Sequence, residues 1–136
     1  MNQILKNVLA VIAGVVIGGL ANAAIINLSG TMFPVEGLDP NDPESIKASM
    51  ANMPLVNFFM VWLAHALHAF LAGFIITKFA ANSHKTWALV GGAIVLLGGL
   101  MMAMQIGGPT WFLAADLLLA YIPMAYLGWM LAGKGN

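Results

Sequence analysis

Residues 8–28 read VLAVIAGVVIGGLANAAIINL, 21 positions without one ionisable side chain. Coiled as an α-helix, that stretch is about 31 Å long and matches the hydrocarbon core of a bilayer. Three later stretches, 55–77, 87–106 and 111–132, are comparably long and apolar. Of 136 residues, 61% are hydrophobic and only 7% charged, with a mean hydropathy of +0.90. Soluble domains carry about 25% charged residues, and disordered chains are poor in apolar ones. Both classes are excluded. The fold expected is all-α: a transmembrane four-helix bundle forming a single transmembrane domain over 1–136. Four spans and one loop use up these residues and leave no room for a soluble catalytic domain.

The start of the first span also fits a secretory signal. Lys6 supplies a basic residue, Val8–Leu20 an apolar segment, and Ala21-Asn22-Ala23 resembles a cleavage site. The apolar run continues through Ile25-Ile26, which favours a helix retained in the membrane.

Outer loop 29–54 holds Glu36, Asp39, Asp42, Glu44 and Lys47, half of all the charge. Pro34, Gly37, Pro40 and Pro43 break regular structure at its front. Asp42-Pro43-Glu44 then reads as a helix start, with Asp42 at the N-cap and proline in the first turn. Ile46, Met50 and Met53 follow at i, i+4, i+7, one apolar face. A short extracytoplasmic amphipathic helix, lying across the membrane surface and ending before Pro54, is expected.

Orientation follows from the lysines. Four spans put both termini and the 78–86 link on one side, with Lys6, Lys78, Lys85 and Lys134; the other side has Lys47 against four acids. The positive-inside rule makes both termini cytoplasmic, and Trp87, Trp111 and Trp129 near span ends suit the interfacial belt. With five Lys, no Arg and a net charge of zero, no basic stripe exists to bind nucleic acid. Zero Cys removes disulfides, thiolate metal sites and covalent c-type haem attachment.

Small residues mark where helices can approach closely. Gly14 and Gly18 form a G-x-x-x-G with Gly19 beside them; Gly73 lies on span two, and Gly91-Gly92 and Gly98-Gly99 on span three. Gly14, Gly18, Gly19, Gly73, Gly98 and Gly99 are therefore candidate helix-packing positions. Packing within one bundle is expected, with contact between chains through span one as the alternative.

Ionisable groups at membrane depth are costly and face a bundle interior or a water cavity. His65 and His68, counted from Leu55, lie about 15 and 20 Å deep and point about 60° apart. An i, i+3 pair can share a metal or pass a proton; neutral imidazoles bonded to neighbouring helices are the simpler account. A bis-histidine haem lacks a partner histidine on any other span. Asp116, the one acid inside a span, lies about 8 Å deep. Asn22 reaches a similar depth and Gln105 lies just above, so an Asn22–Asp116 contact is the economical expectation, with His65 too deep for direct pairing without tilt or water. Pro123 frees the carbonyl of Leu119 and kinks the last span, one ingredient of a transporter site. Met101-Met102-Ala103-Met104, with Met53 and Met60, suggests soft ligands for Cu(I). On one helix pointing several ways, the methionines read better as packing. No cofactor is expected.

The outer loop Met32-Phe33-Pro34, Gly37-Leu38-Asp39-Pro40, Asp42-Pro43 and Met53-Pro54 resembles that of a widespread set of small bacterial four-helix membrane proteins. The likeness continues through Ala69-Phe70-Leu71-Ala72-Gly73, Trp111-Phe112 and Pro123-Met124. The resemblance implies a bacterial inner membrane and this topology. It lends no functional residue, because the set carries no established activity.

Two functions are consistent with these residues. The favoured one is a non-catalytic bundle that packs against itself or other membrane subunits, with lipid around it and the acidic loop as its recognition surface. The alternative is a small transporter or a binder of metal, proton or cofactor around His65, His68 and Asp116. No triad or pair of catalytic carboxylates can be assembled, so an enzyme is not expected.

Overall fold

The computed structural model describes residues 1–134. The elements are α1 (Gln3–Met32), α2 (Pro43–Ser49) continued by a 3-10 turn (Met50–Asn52), α3 (Leu55–Phe79), α4 (His84–Ile106), α5 (Thr110–Leu119) and α6 (Ile122–Ala132). Four segments, Gln3–Met32, Leu55–Phe79, His84–Ile106 and Thr110–Ala132, are long and apolar enough to cross a membrane. The protein is an all-helical, multi-pass membrane bundle.

Several ends follow from local chemistry. The Asn2 side chain accepts the Ile4 N–H at 2.8 Å and starts α1. Asp42 does the same for the Glu44 N–H at 3.1 Å, ahead of Pro43, and starts α2. At 30 residues α1 is longer than the apolar run that announced it, because its polar ends continue the helix beyond the hydrocarbon. The last span divides at Ala120–Tyr121. Pro123 has no N–H for the Leu119 carbonyl, so the α5 ladder stops and α6 begins with the proline in its first turn.

Helix α3 is the axis of the bundle and touches α1, α4, α5 and α6. Its Ala64, Ala66, Ala69 and Ala72 are fully buried. Lipid offers no drive for apolar side chains to leave it, so close backbone approach through small residues holds such helices together. A Cβ on Gly73 would collide with the Ala125 carbonyl, and one on Gly128 with the Phe70 carbonyl. On the other side of α3, a Cβ on Gly14 would stand 2.8 Å from the Ala72 carbonyl oxygen, and one on Gly18 2.5 Å from that of His68. The G-x-x-x-G of the first span thus packs inside this chain, because α1 uses that stripe to reach α3, and it is not free for a second copy. Gly98 departs from the expectation in another way: it is exposed, with nothing near its missing Cβ.

At one end of the bundle the N-terminus meets the α3–α4 link. The Asn7 side-chain amide donates to Asn82 Oδ1 at 3.0 Å, and its carbonyl accepts the Ala81 N–H at 2.6 Å. Lys134 Nζ donates to the Lys78 carbonyl at 2.8 Å. Both described ends of the chain and that link therefore share one end.

Gly128→Ala should lower the thermal stability of the solubilised bundle by about 1–3 kcal/mol, the usual cost of overpacking. Gly98→Ala should leave it unchanged or raise it by up to about 1 kcal/mol, since glycine is the poorer helix former. Thermal unfolding of the two variants side by side checks both.

Candidate functional site

Below the outer loop the helices part around a cavity of about 490 Å³, within the ordinary range for small-molecule sites. Its walls are mainly apolar, with Phe58, Val61, Met102, Ile106, Phe112 and Leu113 among them. Val35, Leu38, Ile46, Met50 and Met53 close it from the loop side. The apolar face of α2 and its 3-10 turn, expected on the membrane surface, is therefore spent on roofing this cavity. The loop is tied to itself: Ser45 Oγ donates to the Gly37 carbonyl at 2.9 Å and accepts the Asp39 N–H at 2.8 Å.

The cavity ends on Asp116 and His65. His65 Nδ1 lies 2.7 Å from Asp116 Oδ1, and the Tyr121 hydroxyl donates to Asp116 Oδ2 at 2.9 Å. The same hydroxyl is 3.0 Å from His65 Nδ1, with the two rings stacked at 5.6 Å. One proton lies between Nδ1 and Oδ1; where it sits on Nδ1 of a neutral imidazole, Nε2 carries a lone pair. Nε2 has no hydrogen-bond partner among the described residues. Asp116 is 4% exposed and Tyr121 1%, so the carboxyl group is met almost wholly by the chain itself.

Direct His65–Asp116 pairing corrects the depth count made along the sequence. That count set Leu55 and Trp111 level, whereas Phe58 packs against Trp111 and Phe112, at 5.4 and 5.1 Å between centroids. Trp62 Nε1 further donates to the Ala115 carbonyl at 3.1 Å. In that register His65 is only two or three residues below Asp116, about 3–5 Å of rise, which side chains span.

Asn22, expected to hold Asp116, instead lines the cavity with its Oδ1 buried and without a partner. Gln105 is exposed and takes no part. His68 turns to another helix, its Nε2 3.0 Å from the Val15 carbonyl. The two histidines are thus engaged on opposite neighbours, and no group of three His, Cys, Asp or Glu side chains gathers as a metal site among the described residues. Each imidazole thus bonds a neighbouring helix, the simpler of the two accounts of the pair. Among the methionines, Met102 lines the cavity while Met101 and Met104 are exposed.

Two participants were not singled out from the sequence. Tyr121 lies two residues before Pro123, at the break between α5 and α6, and that proline is the signal in the sequence. The hydroxyl enters the site because Gly99 leaves room for it; a Cβ there would collide with Tyr121 Oη. Asn57, in the first turn of α3, is 4% exposed. Its amide nitrogen donates to the Phe33 carbonyl at 2.8 Å, and its Oδ1 is buried without a partner at the cavity wall. Gly19 contributes less than its neighbours: its nearest atom is in the His68 ring, at 3.7 Å.

A comparison with protein families, with curated proteins and with solved structures finds no match for this chain.

Tyr121→Phe should cost about 0.6 kcal/mol of stability, the average for interhelical hydrogen bonds in membranes, and no more than about 1.7. Asp116→Ala should cost more, because it strands both donors. The double variant should lose less than the sum, since the two act in one network. Additive losses in thermal unfolding would mean that the contacts are energetically independent.

Proposed function

We propose that this chain is a small-molecule-binding integral membrane protein, with its site in the cavity between the outer loop and the His65–Asp116–Tyr121 cluster. The observation that carries the reading is the cavity itself, an apolar chamber with a few polar groups on its wall, among them two residues whose buried amide oxygens have no partner. A bundle built only to pack would gain by filling that volume, since voids and orphaned polar atoms both cost free energy. The packing of Gly14 and Gly18 against α3 takes up the stripe that was the alternative surface for contact between chains, and weighs the choice towards binding. The reading is of binding.

The proposal includes orientation. Lys6, Lys78, Lys85 and Lys134 belong to the end shared by the described ends of the chain and the α3–α4 link, and support a cytoplasmic location for it. The acidic loop and the cavity roof then face the opposite side. The likeness of the loop to those of small bacterial membrane proteins supports a bacterial inner membrane.

Gentle solubilisation followed by mass spectrometry should find a small molecule with the wild-type protein and none with Ala103→Trp, which fills the cavity from α4. An empty wild type that is stabilised by no compound in a broad ligand screen would overturn the binding reading. For orientation, a cysteine at Asn41 should react with an impermeant thiol reagent in intact cells and one at Ser83 should not; the reverse pattern would invert the topology.

A further inference from the structure

The polar lining of the cavity is rich in acceptors. Asn22 Oδ1 and Asn57 Oδ1 are acceptors without donors, both buried. Asp116 is a carboxyl group, and Nε2 of a neutral His65 with its proton on Nδ1 offers a lone pair. Among the lining residues there is no Lys or Arg. The roof segment carries Glu36, Asp39, Asp42 and Glu44, all exposed, against Lys47, so the approach from the loop side is negative as well. Clefts of one sign raise the local concentration of opposite charge.

Register puts two of these acceptors at one level. His68 meets Gly18, so Asn22, one turn further along α1, stands beside α3 one turn back, next to His65. Asn57 lies eight residues from His65 on the same helix, about 12 Å away. Between them run Phe58, Val61, Phe112 and Leu113. The chamber thus has an acceptor-rich, acidic floor, an apolar barrel and a single acceptor near the roof.

On the reading of the cavity as a ligand site, we infer that its ligand is a lipophilic amine in its protonated form, with the ammonium N–H groups on Asn22 Oδ1 and the His65–Asp116 pair. The apolar body fills the barrel. A neutral donor would satisfy the amide oxygens but bring no positive charge to the Asp116 carboxyl group. An anion would face that carboxyl group with no Lys or Arg in the lining to balance it, and a quaternary ammonium would bring charge without N–H. Buried charge is tolerated where it is both paired and hydrogen-bonded. The primary or secondary ammonium is the head that meets both conditions.

Four compounds with one cage-like apolar body separate these cases: 1-adamantanamine, 1-adamantanol, its trimethylammonium counterpart and the carboxylate. Binding is measured calorimetrically on the full chain in nanodiscs of zwitterionic lipid, with empty nanodiscs subtracted. The amine should bind at least about tenfold more tightly than the other three, a difference of about 1.4 kcal/mol. Asn22→Leu, at a side chain with no hydrogen bond inside the chain, should remove most of that preference, and Asp116→Asn should remove it while the pair's hydrogen bonding is kept. Equal binding of the alcohol, or preference for the carboxylate or the trimethylammonium, overturns the amine assignment and leaves the cavity as a ligand site. Preference for the amine that survives both substitutions overturns it too. If none of the four binds in a manner that Ala103→Trp abolishes, the amine assignment falls. The cavity reading falls with it only if the broad screen is also empty.

Discussion

A carboxyl group between membrane helices has to be met by the chain, because neither lipid nor bulk water will do it. Asp116 is met by an imidazole from α3 and a phenol from beyond a break in its own span. Much else in the bundle serves that meeting. Small residues on α3 bring α1, α4 and α6 close enough for short side chains to matter, Gly99 opens the gap that Tyr121 enters, and Pro123 ends α5 where Tyr121 can turn back onto Asp116. The cluster fastens α3 to the last span at a depth where apolar contacts discriminate poorly between one register and the next.

The spans and the α2 start were legible because their signals are local and strong: runs of apolar residues of bilayer length, and an Asp-Pro-Glu cap. Register was not. Counting depth from Leu55 and Trp111 assumed that two helices begin level, and the aromatic packing of Phe58 shows that they do not. That one offset turned an expected Asn22–Asp116 contact into the His65–Asp116 pair. It also left Asn22 as an unpaired cavity residue. Helical phase told that His65 and His68 diverge, but not that each would find a different neighbour. The glycine stripes were visible as stripes; which faced inward, as at Gly14, and which faced out, as at Gly98, depended on helix rotation that composition does not encode.

The loop is where sequence and structure complement each other best. Its charge and prolines announced a segment outside the membrane, and its i, i+4, i+7 face announced something apolar to cover. The structure supplies the surface covered: the open end of the chamber. The same residues that shield the cavity present their acids outward, so one short segment combines a greasy underside with a negative rim.

The chamber stops halfway. Past the level of Gly99 and His65, the cavity lining ends: α3 meets α6 through Gly73, Gly128 and Ala125, backbone nearly on backbone, while on α4 Gly91 receives the Ile76 side chain and Gly92 that of Ala125. That half is a plug. A solute on the floor of the chamber has no through-route past it without prising those contacts apart. On the proposed reading of the chamber as a ligand site, loading and unloading would use the same mouth, and the bundle would hold its guest without becoming a leak in the barrier that the membrane keeps.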